Sequence, residues 1–262
     1  MTDDFAWFAR DGEPLLQPVW KLMREQQELL LSPFWSASAG FLVHVFFSTL
    51  FMVLDLLSPH ILCIGKYRLS GEAVSVRQWL ACLAHISLGY AVGVLPLTVL
   101  VQAARGSSFP DKELPAPSVF VAFSECFSCL LVFDTLFFIV HYAVHRFPWL
   151  YRTFHQAHHT HRDPFALAAQ KSSVVELMVQ QSLALSTAAL LGCHPVSEVL
   201  FHLVNLWLAA EDHCGYDFPW GLHRLLPCFG GAPFHHAHHL HFQGNYAPYF
   251  RHWDLIFGTR LY

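Results

Sequence analysis

Histidine spacing is the chemistry-bearing feature of this sequence. His141-Tyr-Ala-Val-His145, His155-Gln-Ala-His158-His159 and His235-His236-Ala-His238-His239 form three tight clusters among 19 histidines. Neutral imidazole is the commonest metal-ligating side chain, so the clusters point to a metal centre. Residues four apart on an α-helix differ by about 40° in direction and lie about 6 Å apart along the axis, so His141 and His145 share a face. On a helix the spacing of His155, His158 and His159 turns three imidazoles toward one region, and His235, His238 and His239 repeat it. His213, in Glu211-Asp212-His213, is the best further ligand. So many imidazoles exceed the shell of one tetrahedral or octahedral ion, which favours two metal ions in a shared cage. A chance histidine-rich surface is the bland alternative, and the repeated HxxHH spacing speaks against it.

Other residues carry weaker signals. His44 and His85 stand alone in apolar runs and read as hydrogen-bonded packing residues. His60, His194, His202, His223 and His252 lack cluster partners, and His161 and His236 flank the repeated spacing. These read as surface residues or as supports of ligands. Asp134 lies seven residues before His141 in an apolar run, where an ionisable group is costly; it either orients a ligand or makes a structural hydrogen bond. Glu125 is read the same way, with Glu176 and Asn205 as lesser supports. Cys126 and Cys129 have CxxC spacing, but their apolar surroundings favour packing over redox chemistry. Seven scattered cysteines read as reduced and inert. No phosphate-binding glycine loop, Gly-x-Ser-x-Gly elbow or HExxH motif is present, which leaves metal-assisted oxidation or hydrolysis.

The elements that must position these residues are apolar helices. The 262 residues are 54% hydrophobic and only 13% charged, with a mean hydropathy of +0.38, as expected for an integral membrane protein. The net charge of −4 and the lack of a basic stripe argue against nucleic acid as a partner. A hydrocarbon core takes roughly 20 helical residues to cross, and residues 39–57, 79–101 and 119–140 are such runs. Residues 173–210 form a fourth apolar region broken at Gly192-Cys193-His194-Pro195, which reads as a re-entrant or spanning helical hairpin. The expected fold is an all-α integral membrane protein of about three transmembrane helices plus this hairpin. Residues 141–172 and 211–262 then make a histidine-rich cap. Lys66, Arg68, Arg77, Arg146, Arg152, Arg162 and Lys171 place the cap in the cytosol, with the acidic amino terminus (Asp3, Asp4, Asp11, Glu13) opposite. The hairpin is needed because clusters that share metals must lie on one side. The first apolar run starts too late for a cleaved signal sequence. An amphipathic segment around Trp20, Leu22, Met23, Leu29 and Leu30 reads as interfacial or solvated. The Pro/Ser-rich stretch 106–118 reads as a loop, and one domain over 1–262 is the simplest count.

The HxxxH, HxxHH and HxxHH boxes resemble those of the membrane-bound fatty acid hydroxylase and sterol desaturase superfamily. His252-Trp-Asp-Leu-Ile-Phe-Gly-Thr259 is similar to its closing motif. The stretches 147–155, 191–195, 211–220 and 245–250 resemble members that act on the side chain of cholesterol. The resemblance implies an endoplasmic reticulum membrane enzyme in which two iron ions and O2 place one oxygen atom in an unactivated C–H bond. It assigns the metal to His141, His145, His155, His158, His159, His213, His235, His238 and His239. It also implies a sterol reaching the site from the bilayer between the spans, and electrons from NADPH through a separate reductase system, since no flavin or nicotinamide fingerprint is present. His236 stands where relatives usually carry Asp. Sterol C4-methyl oxidation and desaturation share the same boxes. A histidine-rich metal transporter or sensor is the non-enzymatic alternative, but transport predicts ligating residues near mid-bilayer, whereas the clusters begin at the end of the third run.

Overall fold

The computed structural model describes residues 14–69, 73–105 and 114–261. The acidic residues Asp3, Asp4, Asp11 and Glu13 and most of the 106–118 loop lie outside the described residues. Among the described residues nine helices carry the architecture: α1 Gln17–Glu25, α2 Pro33–Leu57, α3 Val76–Gly89, α4 Leu95–Arg105, α5 Val119–Arg146, α6 Val174–Leu191, α7 Pro195–Asp212, α8 Gly231–His241 and α9 His252–Ile256. Among the described residues β-structure is limited to isolated bridges, Arg68 with Tyr216 and Phe229 with Phe250. Four helices among the described residues are long and apolar enough to cross a membrane: α2, the continuous Val76–Ala104, α5 and α6.

The helices begin and end for local reasons. Pro33 opens α2 at a position where its missing N–H is not needed, and Ser75 caps α3 in a reciprocal capping box with Gln78. A π-helical segment, Tyr90–Val94, joins α3 to α4, so the expected 79–101 run widens into one bent span. At Gly93 an added Cβ would lie 2.6 Å from Val174, so only glycine lets α6 approach this closely. The broken hairpin is as expected: Gly192 closes α6 with a φ of 61° and Pro195 opens α7. The sequence-expected first and third runs are short by about a turn or more, since α2 starts at Pro33 and α5 continues through His145 to Arg146. Polar histidines end an apolar run without ending the helix that carries it.

Large apolar side chains such as Leu42, Phe46 and Leu50 on α2 and Phe120, Phe123 and Phe127 on α5 are exposed, as a lipid-facing surface requires. Inside, α5, α6 and α7 meet through Cys126, Cys129, Leu130 and Phe133 against Ala184, Ala188, Phe201 and Leu208. Apolar burial displaces little water in lipid, so close packing against the small alanines is what holds these helices together. The segment around Trp20 is anchored to the bundle by that side chain, while Leu22 and Leu29 remain exposed. Trp20 is fully buried; its Nε1–H donates to Leu114 O at 2.8 Å and its ring stands edge-on to His194 near the α6–α7 turn.

Candidate metal centre

All three histidine boxes come together at one end of the bundle. His141 and His145 project from the last turns of α5, as the i, i+4 argument requires. Box two departs from its expected helix. His155 ends a π-helical turn, Tyr151–His155, and His158 and His159 lie on a separate 3-10 turn. The wide turn is closed by Gln156 N donating to Tyr151 O at 2.8 Å, and such turns concentrate at functional sites. His235, His238 and His239 lie on α8, and His213 follows α7 directly.

The ligand atoms fall into two groups, His141, His145, His155, His159 and His238 in one, and His158, His213, His235 and His239 in the other, with atoms in each group within 4.8 Å of one another. In the first, His159 Nε2 lies 3.0 Å from His155 Nε2 and 3.2 Å from both His145 Nε2 and His238 Nε2. In the second, His213 Nε2 lies 3.0 Å from His235 Nε2 and 3.4 Å from His158 Nε2. The groups abut, with the His159 and His239 ring centroids 4.7 Å apart.

A metal fits this donor set. The Nδ1 atoms of His141, His238, His213 and His239 face the backbone carbonyls of Tyr246, Gly244, Ala209 and His161 at 2.7 to 3.2 Å. His155 Nδ1 faces Glu176 Oε1 at 2.6 Å. Carbonyls and carboxylates accept only, so each of these Nδ1 atoms carries the proton and each Nε2 presents a lone pair. Nitrogens at about 2.1 Å from one ion are separated by about 3.0 Å at right angles and about 3.4 Å in a tetrahedron, which matches the observed spacings. Lone pairs converging at that distance repel unless a cation lies among them. Burial pushes the His158 imidazole down to about 4, and burial followed by neighbouring imidazoles holds His155, His159, His213, His235, His238 and His239 below the ordinary range. All are therefore neutral and ready to ligate at pH 7.

The supports differ from the sequence ranking. Glu176, read as a lesser candidate, contacts the box histidine His155; Ser173 caps α6 and sets it in the first turn. Asp134 touches no histidine and instead accepts from the backbone N–H groups of Tyr249 and Phe250. Asn205 accepts from the Tyr249 hydroxyl, and Glu125 from His194 N. His44 and His85 bond the Leu167 and Ser172 carbonyls, the packing role expected of them. His236 stays outside both groups, 3.7 Å from Asp163. Sequence reasoning missed Asp254, which is fully buried and accepts from Tyr246 N, Ala247 N and Thr259 Oγ1. It fixes the loop whose Gly244 and Tyr246 carbonyls orient His238 and His141.

A cavity of about 1160 Å³ opens onto both groups, reaching the first through His141 and His155 and the second through His158, His213 and His235. The family model described as fatty acid hydroxylase matches residues 126–259, which covers every box. The chain belongs to the fatty acid hydroxylase family. This hydroxylase is 42% identical to a cholesterol 25-hydroxylase-like protein of Danio rerio over 93% of the chain and 97% of that relative. It is 41% identical to the cholesterol 25-hydroxylase of Homo sapiens (95% and 91%) and 35% identical to a methylsterol monooxygenase of Aspergillus fumigatus (74% and 66%). No solved structure matches it.

Proposed function

We propose that this hydroxylase inserts one oxygen atom of O2 at carbon 25 of cholesterol. The observation that carries the reading is a cavity of sterol size, lined by helices long and apolar enough to cross a membrane, that ends on both histidine groups. The identity to cholesterol 25-hydroxylases over nearly the whole chain supports the choice of sterol and carbon.

In this reading His141, His145, His155, His159 and His238 hold one iron ion, and His158, His213, His235 and His239 hold the second. Iron supplies the activation of O2 needed to attack an unreactive C–H bond. The protein supplies position. Phe133, Phe137, Leu177 and Ala184 give the cavity an apolar wall that admits the sterol skeleton from lipid. Glu176 and the Tyr246, Gly244, Ala209 and His161 carbonyls hold the Nδ1 protons of His155, His141, His238, His213 and His239, which keeps those five Nε2 atoms turned inward. The chain acts as one domain in the endoplasmic reticulum membrane, with the histidine cap facing the cytosol, where a separate reductase system passes on electrons from NADPH.

Membranes containing the protein, fed labelled cholesterol under 18O2 and analysed by mass spectrometry, test this reading. The expected product carries one 18O at carbon 25. A product oxidised at a C4 methyl, or desaturated, would transfer the chain to the chemistry of its methylsterol monooxygenase relative. Absence of any oxidised sterol would refute the reading.

A further inference from the structure

The cavity runs the length of the bundle, and its far end is polar in a way that metal chemistry does not use. Glu198 and His202 line that end, one turn apart on α7. His202 Nε2 lies 3.8 Å from Glu198 Oε1, close enough for charge attraction but too far for a hydrogen bond. Among the described residues neither side chain has any other polar partner. The Glu198 side chain is 38% exposed and that of His202 28%, so a ligand can reach both. Of the other polar groups nearby, Glu125 is engaged with His194 N and Asn205 with the Tyr249 hydroxyl, whereas His194 Nε2, one turn before Glu198, is buried without a hydrogen-bond partner among the described residues. An ionisable pair inside a membrane bundle is costly unless something uses it.

We propose that Glu198 and His202 bind the ring hydroxyl of the sterol, an inference that rests on the function proposed above. A hydroxyl both donates and accepts. Set between the two side chains, it donates to the Glu198 carboxylate and accepts from His202 Nε2–H, closing a gap that neither residue closes alone. The placement fits as well. His202 precedes His213 by eleven residues of helix, about 16 Å of axial rise, and Glu198 lies about 6 Å further. That separation is comparable to the distance from ring hydroxyl to side-chain tip in an extended sterol. Mostly apolar wall lies between, including Phe133, Phe137, Leu203 and Leu206. A sterol seated hydroxyl-first against α7 therefore presents its side chain to the histidines, so the pair selects both the substrate and its direction.

The test compares cholesterol with its 3-deoxy analogue, cholest-5-ene, for wild type and for Glu198→Gln, His202→Leu and the double variant. Turnover on the two sterols is measured within each preparation, so the amount of folded enzyme cancels from the ratio. Wild type is expected to prefer the hydroxylated sterol about tenfold or more in kcat/KM, and the double variant to bring the ratio near one. If wild type makes the 25-hydroxylated product but shows no preference, or if the double variant keeps it, the subsite assignment is overturned while the proposed function stands. Oxidation by wild type at another carbon overturns both, because the fit was made to the side-chain tip.

Discussion

Asp254→Ala tests how the metal cage is held by a residue that never touches it. The Asp254 carboxylate is fully buried and accepts from Tyr246 N and Ala247 N at 2.8 Å and from Thr259 Oγ1 at 2.6 Å. Truncation leaves two buried N–H groups and a hydroxyl without their acceptor. At about 1–3 kcal/mol for each stranded group, and allowing for relaxation, the cost is about 4 kcal/mol. For a chain of this size each kcal/mol lowers Tm by about 2–4 °C, so the melt should fall by about 10 °C. The released segment carries the Gly244 and Tyr246 carbonyls that face His238 and His141, two members of the five-histidine group. Loss of such supports weakens metal binding by about 10–100-fold. Detergent-purified wild type and variant are compared by thermal melting and by metal content after dialysis against a weak chelator. A variant that melts within about 2 °C of wild type and keeps all its metal would refute this role.

His159→Ala and His213→Ala each remove a ligand from a different group, so each should lower metal content from two ions toward one and abolish turnover; unchanged metal and activity would show the ligand assignment to be wrong. Glu176→Gln keeps the shape of the side chain but replaces one of its two oxygens with an amide donor, which disturbs the contact to His155 Nδ1, and about 10–100-fold weaker metal binding is expected in a chelator competition. The metal-free protein should lose stability in acid. His158 has its folded value lowered from 6.5 to about 4, so the unfolded chain takes up the proton first and stability falls as pH drops from 6.5 to about 4, by about 3 kcal/mol from this residue alone. The other buried imidazoles shift in the same direction, and a chelator-treated sample whose melting temperature is flat between pH 7 and 4.5 would contradict the assignment.

The helices and the box residues were legible because their signals are local. The apolar runs, the Gly192 to Pro195 break and the helical spacing of His141 and His145 each depend on neighbours in sequence, and each stands in the structure. The helical reading of box two failed because HxxHH fixes spacing but not helix type, and the π-helical and 3-10 turns reach the same convergence by another route. The supports were poorly legible. Four of the Nδ1 acceptors are backbone carbonyls, which have no residue signature, and Asp254 acts through a loop rather than on a histidine. Glu176 ranked low because its partner, His155, lies 21 residues away on a different turn. Asp134 drew attention for its place near His141 on α5, yet it spends its carboxylate on Tyr249 and Phe250. Both acids are costly where they lie, and only tertiary structure says which one faces a ligand.

Whether the converging Nε2 atoms hold metal is decided by X-ray absorption at the iron edge of the purified protein. Two iron ions per chain are expected, with nitrogen neighbours at about 2.1 Å and the outer-shell pattern of several imidazoles on each ion. Iron absent from active protein, or bound iron surrounded by oxygen with no imidazole pattern, would contradict that expectation.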